Sequence, residues 1–368
     1  MKTKKSIHLI AAARPNFMKI APLYHALRKQ PWAEPVVIHT GQHYDVNMSD
    51  EIFEDLGMPE PDIHLGVGSG THAEQTGRVM IAYEKILMEG PPDLVVVVGD
   101  VNSTAAATMA AAKLGVKVAH LEAGLRSFDR TMPEEINRVV TDALADILWT
   151  PSPDGDRHLA GEGVPPEKIE RVGNIMIDSL EMVRPRIEAD RTREGLSLTP
   201  GRYGLVTLHR PSNVDHEEIL DTICRTLIRI SETIAIVFPV HPRTEKNLKR
   251  WNLYDALEAA PGVALLTPIR YIAFMNLVFD SGLVITDSGG IQEETTYLGI
   301  PCFTLRPNTE RPITIEQGTN QLCTPDALAS RVDAALKGGA AKGTPPEFWD
   351  GKTAERVVAS IKKLVGDR

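Results

Sequence analysis

Residues 284–301 read Val-Ile-Thr-Asp-Ser-Gly-Gly-Ile-Gln-Glu-Glu-Thr-Thr-Tyr-Leu-Gly-Ile-Pro, a strand end followed by a glycine turn and an acidic helix start. Ser288, Gly289 and Gly290 would place backbone N–H groups and a hydroxyl at a helix N-terminus, where unpaired donors and the helix dipole favour a phosphate. Glu293 and Glu294 are expected in the first helical turn, near enough for one of them to hydrogen-bond a ribose. The same glycine pair would also serve a tight turn in any α/β domain.

In an open parallel sheet, ligands gather beyond the carboxyl ends of the strands, so the residues that follow strands carry most of the functional weight. Arg14 and Lys19 follow the first strand and surround a helix start, the first suited to fork two phosphate oxygens and the second to act as a point charge. Asp100 follows an apolar run and also suits a helix cap. Glu122, in His-Leu-Glu-Ala-Gly-Leu-Arg, follows the next run, and Glu134 comes after a proline at a helix start, where the dipole alone would favour it. Together Asp100, Glu122 and Glu134 could converge as proton donor and acceptor, a task that needs carboxyls in different environments. His209 and His241 end two later strands, and each could neutralise a diphosphate or give a proton to a leaving group. The chain lacks G-x-G-x-x-G near its first strand, G-x-x-x-x-G-K-[ST], H-E-x-x-H and G-x-S-x-G, and nothing in it suggests a bound metal.

These residues need a scaffold that brings strand ends together. Short apolar runs alternate with helical patterns, as a parallel sheet covered on both faces requires. Strands are expected over 7–11, 36–39, 63–65, 94–98, 116–120 and 147–149, then over 204–208, 234–239, 263–266, 283–286 and 301–304. Helices are expected near 17–29, 73–88, 103–114, 133–145, 217–233, 271–280, 291–298 and 353–365. The fold class is therefore α/β with two doubly wound, Rossmann-like domains, 1–172 and 173–352, joined by a charged helical connector over 181–194. The last helix, within 353–368, is expected to pack back on the first domain.

The length of 368 residues suits two domains, and the net charge of −9 argues against a general affinity for nucleic acid. Cys224, Cys302 and Cys323 are far apart in or beside apolar runs, as buried reduced thiols would be, so a cytoplasmic location is expected. The first apolar stretch is short and ends in Arg-Pro, which fits a strand better than a leader, and no apolar run approaches the roughly 20 residues that span a bilayer.

Taken together, 13–23, 40–43, Gly99-Asp100, 120–126, 133–138, His209-Arg210, 287–294 and 309–312 resemble the motifs of the non-hydrolysing UDP-N-acetylglucosamine 2-epimerases. The resemblance runs from residue 7 to the last helix. It implies a GT-B-type pair of domains with the active site in the interdomain cleft, the second domain binding UDP, a homodimer, and no redox cofactor. The implied reaction is reversible interconversion of UDP-N-acetylglucosamine and UDP-N-acetylmannosamine by elimination of UDP and re-addition through 2-acetamidoglucal. By motif, Asp100, Glu122 and Glu134 match the catalytic carboxylates and His209 the catalytic histidine. Arg14, His241, Ser288, Gly289 and Glu294 match positions that hold UDP, Phe274 lies where uracil packs, and Lys19 and Arg311 would add positive charge. Three motifs depart from the better-known bacterial pattern, at 42–45, 209–212 and 310–313. A hydrolysing relative or a GT-B glycosyltransferase would keep the same UDP pocket, but three acids without an acceptor-binding tract favour epimerisation.

Overall fold

The computed structural model describes residues 4–12, 14–41, 53–339 and 343–366. The chain divides into two compact units, Met1–Val183 with Glu347–Arg368, and Arg184–Pro346. Both are doubly wound α/β units, so the fold is the Rossmann-like, GT-B-type pair.

The first unit holds seven strands: β1 (Lys5–Ala11), β2 (Ala33–His39), β3 (Ile63–His64), β4 (Leu94–Val98), β5 (Val118–Leu121), β6 (Ile147–Thr150) and β7 (Ile169–Arg171). They pair in parallel in the order β3-β2-β1-β4-β5-β6-β7. All five residues of β4, Leu-Val-Val-Val-Val, are buried. Such an unbroken apolar run is what a strand covered on both faces requires. The helix Asn102–Lys113 presents Ala107, Ala110 and Ala111 to Val95, Val97 and Val118. Strand order reverses between β1 and β4, so the loops leaving these two strands diverge and open a crevice at their carboxyl ends.

The second unit repeats the permutation with β8 (Tyr203–Thr207), β9 (Ala235–Pro239), β10 (Val263–Leu266), β11 (Leu283–Thr286), β12 (Cys302–Thr304) and β13 (Asn320–Leu322), ordered β10-β9-β8-β11-β12-β13. Here the reversal falls between β8 and β11, whose ends align with Thr207 opposite Thr286. The helix Glu217–Ser231 buries Leu220, Ile223, Leu227 and Ile230, one stripe at helical spacing, against a core that includes Val206, Phe238 and Ile285.

Two strands exceed the sequence expectation. Edge strands β7, Ile-Glu-Arg, and β13, Asn-Gln-Leu, have three residues each and lack the apolar run by which a central strand is read. The helix carrying the glycine turn begins at Gly289 instead of 291. Helices Pro153–Gly161, Pro242–Arg250 and Pro325–Ala334 start with proline, which suits a first helical position because its missing N–H would be unpaired there anyway. All three cysteines are free thiols, buried, with burial raising each pKa. Among the described residues no helix is long and apolar enough to cross a membrane.

The final helix, Thr353–Gly366, packs on the helix Arg14–Arg28 of the first unit. Trp149 donates from Nε1 to Ser360 Oγ at 3.0 Å, and Asp178 accepts the N–H groups of Ala354 at 2.7 Å and Thr353 at 3.1 Å. Burial pushes the Asp178 carboxyl up to about 6 from 3.8, with Asp350 adding to the rise, against the lowering effect of the two N–H donors. A carboxyl whose folded pKa is raised adds most to stability when protonated in both states, below about pH 4, and loses that contribution as pH rises to 6. The loss should be on the order of 2–3 kcal/mol. Asp178→Asn cannot ionise, so unfolding followed from pH 4 to 7 should show wild type losing ground to the variant across this window; a pH-independent difference would contradict the assignment.

Candidate active site

In the first unit the acids gather at the carboxyl ends of β4 and β5. Gly99 follows β4 with φ +65°, and a Cβ there would lie 2.9 Å from Lys19 Nζ and 3.3 Å from Glu122 Oε2. Only glycine satisfies both conditions. Glu122 itself has φ +77°, although it is not glycine. Such a backbone costs about 1–3 kcal/mol and persists where surrounding contacts enforce it. Here the N–H groups of Glu122 and Ala123 both donate to Trp149 O, at 3.1 and 3.0 Å. The buried Glu122 carboxylate pairs with Lys19 Nζ.

Asp100 is half-buried and receives Arg138 through Nη2 at 2.6 Å and Nε at 3.1 Å. Arg138 Nη1 also donates to Glu135 Oε2 at 2.7 Å. Glu135 is buried, which pushes its carboxyl up, yet the backbone N–H groups of Ser127 and Phe128 together with Arg138 hold it below the usual value. Glu134, its neighbour, is exposed. It stands three and four residues before Asn137 and Arg138, which bond Asp100 through backbone and side chain, so it shares their helix face. The structure thus brings Asp100 and Glu122 together and sets Glu134 one turn away along the helix Pro133–Leu144. Arg14 opens the helix Arg14–Arg28 and Lys19 lies further along it. Lys19 is buried and pairs with Glu122.

In the second unit, His209 follows β8 and its Nδ1 lies 2.9 Å from Oδ1 of Asp287, which is fully buried. Burial pushes the Asp287 carboxyl up, but His209, the Arg210 N–H and Asn213 together hold it below its ordinary value. The contact with Asp287 orients the His209 ring through its Nδ1. His241 caps the helix Pro242–Arg250, its Nδ1 accepting the Arg243 N–H at 3.2 Å, so Nε2 carries the proton. The two imidazoles lie 5.7 Å apart at their centroids. Burial, His209 and Arg243 lower the His241 pKa against the opposing effect of Asp287, making it a neutral N–H donor near pH 7.

Ser288 is the N-cap of the helix Gly289–Leu298 and its side chain makes no capping bond. A Cβ on Gly289 would lie 2.8 Å from Arg311 Nη1, whereas one on Gly290 would meet nothing within 4 Å. A Cβ at Gly289 would therefore require the Arg311 and Glu310 side chains to shift. Because the helix begins at Gly289, Glu293 and Glu294 fall in its second turn, which corrects the first-turn expectation. Glu294 is buried and accepts the Tyr271 hydroxyl at 2.7 Å. Phe274 is half-buried three residues beyond Tyr271, on the same face of the helix Tyr271–Phe279. Arg311 pairs with Glu293 at 2.9 Å and with Glu310.

The chain's own residue pattern signals some of this and hides the rest. Asp287 sits within the glycine-turn segment but receives no role from its type alone, and Tyr271, Glu135 and Asp142 carry no local signal of their partners. Positions 42–45 lie outside the described residues.

The family profile described as UDP-N-acetylglucosamine 2-epimerase matches residues 25–362. The chain is 42% identical over 361 residues to the UDP-N-acetylglucosamine 2-epimerase of Methanocaldococcus jannaschii, covering 96% of this chain and 97% of that one. It is 38% identical over 360 residues to the UDP-2,3-diacetamido-2,3-dideoxy-D-glucuronate 2-epimerase of Pseudomonas aeruginosa, covering 96% and 99%. A crystal structure of the M. jannaschii enzyme in complex with UDP-GlcNAc and UDP superposes with a TM-score of 0.87 at 41% identity, covering 97% of this chain and 99% of that chain. The chain belongs to the UDP-N-acetylglucosamine 2-epimerase family, a family of isomerases.

Removing the cation from a buried ion pair costs about 3–5 kcal/mol, because a carboxylate is left in a poorly solvated place. Lys19→Met should accordingly lower stability by about that amount. Urea unfolding would measure it, and a loss within experimental error would show that Lys19 does not carry Glu122.

Proposed function

We propose that this chain interconverts UDP-N-acetylglucosamine and UDP-N-acetylmannosamine. The observation that carries the reading is the carboxylate of Glu122, in a left-handed backbone, set beside Gly99, the residue before Asp100. One carboxylate accepts the proton from sugar carbon 2. The electron pair of that C–H bond forms the C1–C2 double bond as the C1–O bond to UDP breaks, giving 2-acetamidoglucal and UDP. Re-addition of UDP at carbon 1 with protonation of carbon 2 on the opposite face completes inversion, and no redox cofactor is required. Two faces call for two proton-transfer groups, and Asp100, Glu122 and Glu134 occupy three different environments.

The second domain supplies the hold on UDP. Ser288, Gly289 and Gly290 offer a helix start to the phosphates, Glu294 is steadied by Tyr271 for the ribose, and Phe274 offers a face to uracil. His241 donates to phosphate, Arg14 adds charge, and Lys19 and Arg311 act through the carboxylates they pair with. His209, oriented by Asp287, serves the departing phosphate. The cytoplasm is the proposed compartment, in keeping with three buried free thiols.

The test is incubation with UDP-N-acetylglucosamine in heavy water, followed by proton NMR. Deuterium at carbon 2 in a mixture of UDP-linked epimers is expected, with turnover falling about 10²–10⁴-fold in Asp100→Asn, Glu122→Gln and Glu134→Gln. Free sugar would establish hydrolysis instead, and no exchange would leave a transferase or a binding protein.

A homodimer is the proposed assembly. Between the helices His72–Glu89, Asn102–Lys113 and Pro133–Leu144 runs a groove lined by Met80, Met109, Ile136 and Val140, with Ile136 52% exposed. Such an apolar face is suited to burial against a second copy. Sedimentation equilibrium should give twice the chain mass, and Ile136→Glu should shift the protein towards monomer; a monomeric wild type would refute the assembly.

A further inference from the structure

His120, Asp142 and Arg126 form a buried cluster that the reaction just described does not use. His120 is fully buried in β5, two residues before Glu122. Its Nε2 lies 2.9 Å from the carbonyl oxygen of Gly99, the residue before Asp100, and its Nδ1 lies 2.6 Å from Asp142 Oδ1. A carbonyl oxygen can only accept, so Nε2 carries a proton. Asp142 also receives the Gly124 N–H at 3.1 Å and Arg126 Nη1 at 2.7 Å. Burial raises the Asp142 carboxyl while His120 and Arg126 outweigh it and keep the group ionised, an acceptor only. Both ring nitrogens are therefore held, Nε2 on a carbonyl and Nδ1 on a carboxylate. Glu162 in turn takes Arg126 in a fork of two 2.7 Å bonds.

We infer that His120 is a positioning residue for the epimerisation, resting on the epimerase reading above: through its two ring nitrogens it ties the Gly99 turn to Asp142 and so fixes where Asp100 and Glu122 stand. The backbone geometry supports this. Gly99 donates its N–H to Leu121 O at 3.2 Å and gives its carbonyl to His120, so two successive residues of β5 hold both peptide planes around it. The Gly99–Asp100 peptide plane cannot turn without breaking the Nε2 bond. On the other side of His120, Glu122 is held in its left-handed backbone by Trp149. A histidine that served packing alone would have no need of a second nitrogen on the backbone of the very turn that leads into Asp100.

Two measurements on the full chain test the inference. In protein labelled with ¹⁵N in histidine, the His120 signals, identified by their absence from His120→Gln, should show a proton on Nε2 that exchanges slowly with solvent. An Nε2 without a proton would overturn the clamp, and this reading needs no variant to be active. In steady-state kinetics with UDP-N-acetylglucosamine, His120→Leu should lose about 10²-fold in kcat, the scale of a small misplacement of reacting groups, while KM stays within about twofold. His120→Gln, whose amide has two protons to donate, should recover part of the loss. Unchanged kcat in His120→Leu, or a loss confined to KM, would overturn the inference while leaving the epimerase reading intact. Absence of carbon-2 exchange in the unmodified chain would instead strike the epimerase reading and take this inference with it.

Discussion

A carboxylate stays charged inside a protein only where cations or N–H donors replace its water, and the acids of both candidate half-sites are arranged around that requirement. Glu122 has Lys19, Asp100 has Arg138, and Asp287 has His209 with the backbone of Arg210 and the amide of Asn213. Each pairing also constrains geometry. Arg138 serves Asp100 with one arm while Glu135 holds the other, and Glu135 in turn gathers the N–H groups of Ser127 and Phe128. Satisfying one buried charge thus orders a loop, a helix start and a strand end at once.

The parallel sheets explain why these demands meet where they do. In both units strand order reverses once, between β1 and β4 and between β8 and β11, and the segments that follow those strands carry Lys19, Asp100, His209 and Asp287. A reversal leaves carboxyl ends uncovered by a crossover, which gives side chains room but also leaves backbone groups to be satisfied. Gly99 and Glu122 meet this with left-handed backbones, one permitted by its missing side chain and the other enforced by Trp149. Glu122 is the more telling of the two, since a glycine there would relieve strain and lose the carboxylate.

How much of this the sequence discloses depends on whether the physical cause is local. The run Leu94–Val98 announces a central strand because burial on both faces needs every residue apolar, and the Ser288 turn announces a helix start because glycine, hydroxyl and strand end are contiguous. Edge strands β7 and β13 are hidden, since pairing on one side tolerates Glu170 and Asn320. The placement of Glu293 and Glu294 is misjudged by a turn because Gly289 and Gly290 have poor intrinsic helix propensity, yet the helix includes them. Asp142 is harder still. Its charge matters through a histidine 22 residues earlier and an arginine 16 residues earlier, and no local pattern states that these meet.

The distribution of charge also bears on reversibility. In the candidate UDP-binding half Arg311 is committed to Glu293 and Glu310 and Arg243 to Asp215, while burial lowers the His241 pKa. Under the proposed function, recognition of a diphosphate in that half would draw on oriented N–H donors at helix starts. Fixed dipoles of this kind respond to charge growing on an oxygen without having to reorganise, so they favour the moment when the C1–O bond breaks. A cluster of uncompensated cations would hold free UDP so tightly that re-addition, the step that completes the epimerisation, would begin from a deep well. Under the proposed function, matching Arg311 with two carboxylates would avoid that trap and leave the leaving group poised for return.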